Sequence, residues 1–235
     1  MLEALITSSP IVLKLRMSDH GALLVPQADM CRAVLKAGKD TCHECGMRVP
    51  GAMEIDHLKG HRPCNEADLA PICQFCHNLK HPIWAGARKR FIPIFAPDMS
   101  QADLHRLAWT CLAWRSDEEV SAGIGAVLDA IAARHKLFVD TYKTDNVSSF
   151  FESITGLPDL IGQDSALKLA RQTDSFVRFW PSEVLPDFET FEASRRLTTW
   201  SVGGFKICSD MAARALRDYV KPDLTALQQG ASKFC

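Results

Sequence analysis

Two Cys-x-x-Cys steps in one stretch, residues 42–81, constrain this chain more than any other feature. Cys42 and Cys45 open the stretch, Cys73 and Cys76 stand near its end, and 27 residues separate Cys45 from Cys73. Two residues between cysteines let both sulfurs of a tight turn face one ion. Four thiolates at about 2.3 Å then complete a tetrahedron, the closed form of a structural zinc site. The gap exceeds the roughly 15–20 residues of compact zinc ribbons, which leaves room for a small folded insert. The same spacing also suits redox-active dithiols or unrelated buried cysteines, but in a reducing compartment paired cysteines favour metal.

The rest of the composition sets bounds. With 235 residues the chain fits one large domain or two small ones, and an apolar fraction of 47% allows a real core. Lys plus Arg is 27 against 28 for Asp plus Glu, so bulk charge does not drive nucleic-acid binding. Residues 30–90 hold ten Lys/Arg against six Asp/Glu, a local excess that allows nucleic acid without arguing for it. Nine cysteines are too scattered for a disulfide framework: Cys31, Cys64, Cys111, Cys208 and Cys235 show no pairing pattern. Cys111 and Cys208 fall on apolar helical stripes and read as core. The N-terminus lacks a signal peptide's basic start, and no apolar run approaches the length of a membrane span. The expected compartment is the cytoplasm.

Along the chain, residues 11–16 and 22–25 read as a hairpin about Asp19-His20-Gly21, followed by a helix over 27–38. Residues 53–57 are expected as a strand and Gln74–Lys80 as a helix. Arg88-Lys89-Arg90 reads as a loop or strand edge, with phosphate contact as the sharper alternative. Phe91–Phe95 is β-prone. Beyond Pro97 everything reads as helical. Ser100-x-x-Asp103 resembles a capping box ahead of Leu104, Leu107, Ala108, Cys111 and Leu112. Ser116-x-x-Glu119 precedes a second stripe of Val120, Ile124, Val127, Leu128, Ile131, His135, Phe138 and Val139, with His135 a satisfied boundary histidine. The two helices are expected to pack antiparallel. Residues 144–186 read as short helices broken at Gly156, Pro158, Gly162 and Pro181. Further helices are expected over 187–200 and 208–220, with a loose tail over 223–235. The fold class is therefore α+β: a zinc-bearing part over 1–97 and an all-helical part over 98–235, packed as one body.

Asp-His followed by Cys-x-x-Cys-His is the order of an HNH nuclease, a ββα-metal motif, and this stretch resembles it residue by residue. His57 matches the general base, since a neutral imidazole takes a proton near pH 7. Asp56 matches the first ligand of a catalytic Mg²⁺ or other divalent cation, and His77 the second, with His81 as a substitute. Lys80 is placed to touch phosphate. The motif's Asn has Asp68 at its position, with Asn65 three places early. An Asp there would still accept the imidazole N–H, but its charge would raise the histidine pKa and weaken the base. The bland alternative is a zinc-stapled ββα module whose His and Asp residues are idle.

Over about residues 3–200 the chain is similar to the IcmJ (DotN) family of Dot/Icm type IVB secretion systems and related conjugation systems. The pieces that carry the likeness are an N-terminal Ser-Pro, Cys42-His43-Glu44-Cys45-Gly46, Cys73-Gln74-Phe75-Cys76, the segment Ile92 to Leu104, and Phe179-Trp180-Pro181-Ser182 ahead of an aromatic-bearing helix ending at Trp200. Residues 201–235 read as an extension. The resemblance implies an HNH-like fold around one structural zinc on Cys42, Cys45, Cys73 and Cys76, and no nuclease activity. It also implies a cytoplasmic protein held at the inner membrane through its partners, above all the coupling ATPase that receives substrates for transport. Asp56-His57 and Cys76-His77 are residues that secretion members can lack. They keep two other readings open: an HNH endonuclease using His57, Asp56, His77 and Asp68, and a nucleic-acid-binding zinc module without catalysis.

Overall fold

A computed structural model describes residues 28–49, 52–59, 65–113 and 118–185 of the chain. The expected N-terminal hairpin, the Ser116 cap, the helices over 187–200 and 208–220 and the tail lie outside the described residues.

Helix α1 (Ala28–Ala37) carries Asp29 in its first turn and Lys36 in its last, each sign matching the helix dipole. Strand β1 (Met53–His57) pairs antiparallel with β2 (Leu69–Cys73), in register from Met53 opposite Cys73 to His57 opposite Leu69. Helix α2 (Gln74–Lys80) starts at the residue after β2, and α3 (Pro82–Ala87) follows with Pro82 in its first turn, where no N–H is missed.

Strand β3 (Phe91–Phe95) pairs antiparallel with β4 (Val177–Pro181), Phe91 opposite Pro181 and Phe95 opposite Val177. This corrects the expectation of an all-helical second half. Val177, Phe179, Trp180 and Pro181 are buried in the strand, and their partner strand lies some eighty residues earlier. Local periodicity does not carry such a pairing. The sheet and the core joined to it bring together residues from both sides of position 97.

Helix α4 (Gln101–Ala113) opens on the reciprocal cap read from the sequence. Asp103 N–H donates to Ser100 Oγ at 3.1 Å, and Ser100 N–H donates to Asp103 Oδ2 at 3.4 Å. Helix α5 (Glu118–Tyr142) turns Ile124, Val127, Ile131 and Phe138 inward. Half-buried His135 donates from Nδ1 to Pro93 O at 2.8 Å, the satisfied role expected of it. The two long helices take their main contacts from the β3–β4 sheet rather than from each other, α4 against β4 and α5 against β3. These sheet contacts stand in place of the close antiparallel helix pair expected from their short connection, while the apolar faces of both helices join one core.

Helix α6 (Val147–Ile161) runs through Gly156 and Pro158, both expected to break it. Pro158 falls in the last turn, where its fixed φ is helical and its missing N–H removes only one bond. The stop comes at Gly162, at φ 80, whose N–H reaches Pro158 O at 3.0 Å. Helix α7 (Gln163–Asp174) packs back on α6. Gly86 lets α3 lie against the start of α6, since a Cβ there would meet Ser148 N at 2.4 Å.

Two cores result. One surrounds the four cysteines with Met47, Val49, Ile72, Phe75, Leu104, Trp109 and Trp180. The other is aromatic, with Phe91, Phe95, Phe138, Phe150, Phe151 and Phe179. Two buried arginines are paired beside them. Arg90 meets Glu183 at 2.5 Å, which places one third of the basic run inside the protein. Arg134 grips Asp98 at 2.7 and 2.8 Å and also reaches Phe95 O.

Candidate metal centre

The first cysteine pair sits on a turn closed by its own backbone. Cys42 N–H donates to Met47 O at 2.9 Å, and Gly46 N–H to Cys42 O at 2.8 Å. Gly46 has φ 72, a conformation that favours glycine. Within the turn, Cys45 N–H points at Cys42 Sγ, 3.5 Å away. The second pair straddles the junction of β2 and α2, Cys73 ending the strand and Cys76 lying in the helix's first turn. His43 N–H donates to Pro71 O at 2.9 Å and docks the first turn on β2.

This junction gathers Cys42, Cys45, Cys73 and Cys76 so that all four sulfurs lie within 4.8 Å of one another. Cys45 Sγ and Cys73 Sγ are 3.7 Å apart. A tetrahedron of bonds near 2.3 Å has an edge of about 3.8 Å, so the spacing fits a tetrathiolate site. It is far longer than the roughly 2.05 Å of a disulfide. All four cysteines are between 0% and 7% exposed, which argues against a redox dithiol, whose attacking sulfur must be reached.

Electrostatics point the same way. Burial, followed by the neighbouring thiols, pushes Cys73 well above the usual thiol range. Cys76 is raised as well, first by its hydrogen bonds with Cys42 and Cys45. Cys42 moves in the opposite direction, because Cys45, Cys73 and Cys76 all donate to its sulfur. Left to themselves, four sulfurs this close share protons. Only a cation lets all four be thiolates, and a soft divalent ion such as zinc matches the donor set.

Helix α4 supplies the support around the sulfurs. Trp109 donates from Nε1 to Cys73 Sγ at 3.3 Å while stacking on Phe75 at 4.2 Å. His105 Nδ1 lies 3.1 Å from Cys76 Sγ. Burial drops His105 to about 3, so its ring is neutral near pH 7. Arg106 Nε donates to Cys45 O at 2.7 Å. The sequence expectations do not include these residues, which lie beside the apolar stripe of α4 rather than on it. The available signal was Gln101, His105 and Trp109 at i, i+4, i+8, a row of N–H donors on one helix edge.

The residues matching the nuclease motif are arranged differently. Asp56 is buried on β1. His43 donates to its Oδ2 at 2.7 Å, and Lys80 forms an ion pair with the same oxygen. Burial alone would raise this carboxyl, but the His43 hydrogen bond and the Lys80 ammonium more than compensate and hold it at about 2. Lys80 is raised in turn: burial opposes its charge, and Asp56 and Glu44 prevail. His57 is the next residue on the strand, where the pleat turns successive side chains to opposite faces. His77 donates from Nδ1 to Glu54 Oε2 at 2.6 Å, with His81 edge-on to its ring. Asp68 is held by Lys59 at 2.5 Å and by Asn65 N–H. Among the described residues, the groups of three or more ligand types within mutual reach are the four cysteines and His43, Glu44 and Asp56. Two members of the second group, Glu44 and Asp56, both pair with the Lys80 ammonium.

No protein-family model matches the chain, and no curated protein matches it. No described helix is long and apolar enough to cross a membrane.

Proposed function

We propose that this chain is a non-catalytic, zinc-stapled adaptor of a type IVB secretion or conjugation coupling complex, with an HNH-like ββα core turned to structural use. The four cysteines hold one zinc ion, and β1, β2 and α2 form the ββα unit that the ion staples. The zinc supplies no chemistry to a substrate. It ties two chain segments together, and Trp109, His105 and Arg106 seat α4 on the result.

One observation supports the non-catalytic reading above the others. The carboxylate that would bind a nuclease's divalent cation is already paired with the Lys80 ammonium and hydrogen-bonded by His43. A metal ion would have to displace this half-buried ammonium from the buried carboxylate before it could bind there. His77 is likewise engaged, by Glu54. The partner assignment rests on the resemblance described above. Leu160, Ile161 and Leu169, on the two helices joined at Gly162, offer exposed apolar side chains to a partner segment.

Two assays on the purified chain test this reading. Co-expression with a type IVB coupling ATPase should yield a stable co-purifying complex. Plasmid nicking with Mg²⁺, Mn²⁺ or Ni²⁺ should be no greater than for His57→Ala. Metal-dependent nicking lost in that variant would overturn the adaptor reading in favour of an HNH endonuclease.

A further inference from the structure

Gln101 faces the backbone of Phe179 on β4. Phe179 N–H donates to Gln101 Oε1 at 2.9 Å, and Gln101 Nε2 donates to Phe179 O at 2.7 Å. These two bonds leave the amide one orientation. Turned over, it would set its NH2 against an N–H and its oxygen against a carbonyl, and both bonds would be lost.

The same Nε2 lies 3.0 Å from His105 Nε2. An amide nitrogen only donates, so His105 Nε2 must present its lone pair. The imidazole therefore carries its one proton on Nδ1, which faces Cys76 Sγ at 3.1 Å. A ring with its proton on Nε2 would oppose N–H to N–H on one side and a lone pair to a thiolate on the other. His105 is sealed in this position, with Phe75 and Phe91 beside its ring.

We propose that Gln101 is a positioning residue that locks His105 as its Nδ1–H tautomer, so that the imidazole donates to the Cys76 thiolate and keeps the clasp from losing its metal. The inference rests on the zinc reading above and deepens it. Partners that orient groups around a metal typically alter its affinity 10–100-fold when removed. The relay also runs from β4 through α4 to the second cysteine pair, so the β3–β4 sheet and the metal centre support each other.

The test uses the full-length chain. Long-range ¹H–¹⁵N spectra of the zinc-loaded protein should show His105 with a protonated Nδ1 and a bare Nε2. Gln101→Glu keeps the acceptor for Phe179 N–H but replaces the donor with an acceptor, and should invert that tautomer. Zinc transfer to a chromophoric chelator should then be about tenfold faster or more. His105→Phe, which keeps the ring packing, should accelerate release to a similar extent without any tautomer to read. A wild-type His105 protonated on Nε2, or both variants releasing zinc at the wild-type rate, would overturn the inference while leaving the zinc reading intact. A wild-type chain that takes up no zinc would bring down the zinc reading itself.

Discussion

At the residue scale, Trp109 shows how much support the sulfurs draw from outside the cysteine stretch. Its ring fills space against Phe75, and its single N–H reaches Cys73. Trp109→Phe keeps most of the first contribution and removes the second. It should cost about 1.5–3 kcal/mol, the value of one hydrogen bond to a charged acceptor. Trp109→Ala should cost about 3–5 kcal/mol, as expected for emptying a fully buried ring site. Chemical unfolding of the two variants separates bond from packing, and equal losses would contradict the role given to the N–H. Asp56 supports a pH prediction. Its folded value of about 2 lies below the ordinary carboxyl, so its pairing stabilises the fold above roughly pH 4, and that contribution fades as pH falls through 2. Wild type and Asp56→Asn share every other titratable group. The difference between the two chains therefore isolates Asp56. It should be about 2–3 kcal/mol at pH 6 and shrink on acidification. A difference independent of pH would contradict the pairing with Lys80 and His43.

Elements differ in how much of them could be read from the residues. Strand Met53–His57, helix Gln74–Lys80 and the Ser100–Asp103 cap follow from short-range chemistry, and each stands where the sequence places it. The cysteine clasp was legible for the same reason, since ligand spacing is itself local. What escaped depends on distant partners. Phe179 and Trp180 look like helix residues until Phe91–Phe95 is set beside them. Gly156 and Pro158 look like breaks until the helix's true end at Gly162 shows how little is lost before it. The N–H donors on α4 become meaningful only once the sulfurs are in place. Contact between α3 and α6 yields a prediction of the same long-range kind. Gly86→Ala pushes a methyl into the Ser148 backbone, where no flexible side-chain end can give way. Overpacking of this kind costs about 1–3 kcal/mol. Thermal unfolding should fall by several degrees, and an unchanged midpoint would mean that the two helices do not approach so closely.

For the whole molecule, the two ends of the described chain are interdependent. Ile94 and Ala96 share a core with Trp109 and Trp180, while Arg90 is neutralised by Glu183. A fragment ending at residue 97 would therefore expose half a core, leave Arg90 without its counter-ion and strip the helix that covers the cysteines. It should bind a hydrophobic dye and lack near-ultraviolet circular dichroism, as loosely packed states do. A fragment that folds with sharp tertiary signals would show that the cysteine stretch stands alone. A zinc ion bound by the four cysteines would weigh more than any of these contacts. Binding free energies near 10 kcal/mol are typical of small structural sites, comparable to the entire stability of a domain.

The most direct measurement is zinc-edge X-ray absorption combined with elemental analysis, on wild type and Cys73→Ser. One zinc per chain, with four sulfur neighbours at about 2.3 Å, is the expected wild-type result, and Cys73→Ser should be insoluble or metal-free. A wild-type chain without stoichiometric zinc, or a soluble Cys73→Ser with an unchanged melting temperature, would contradict it.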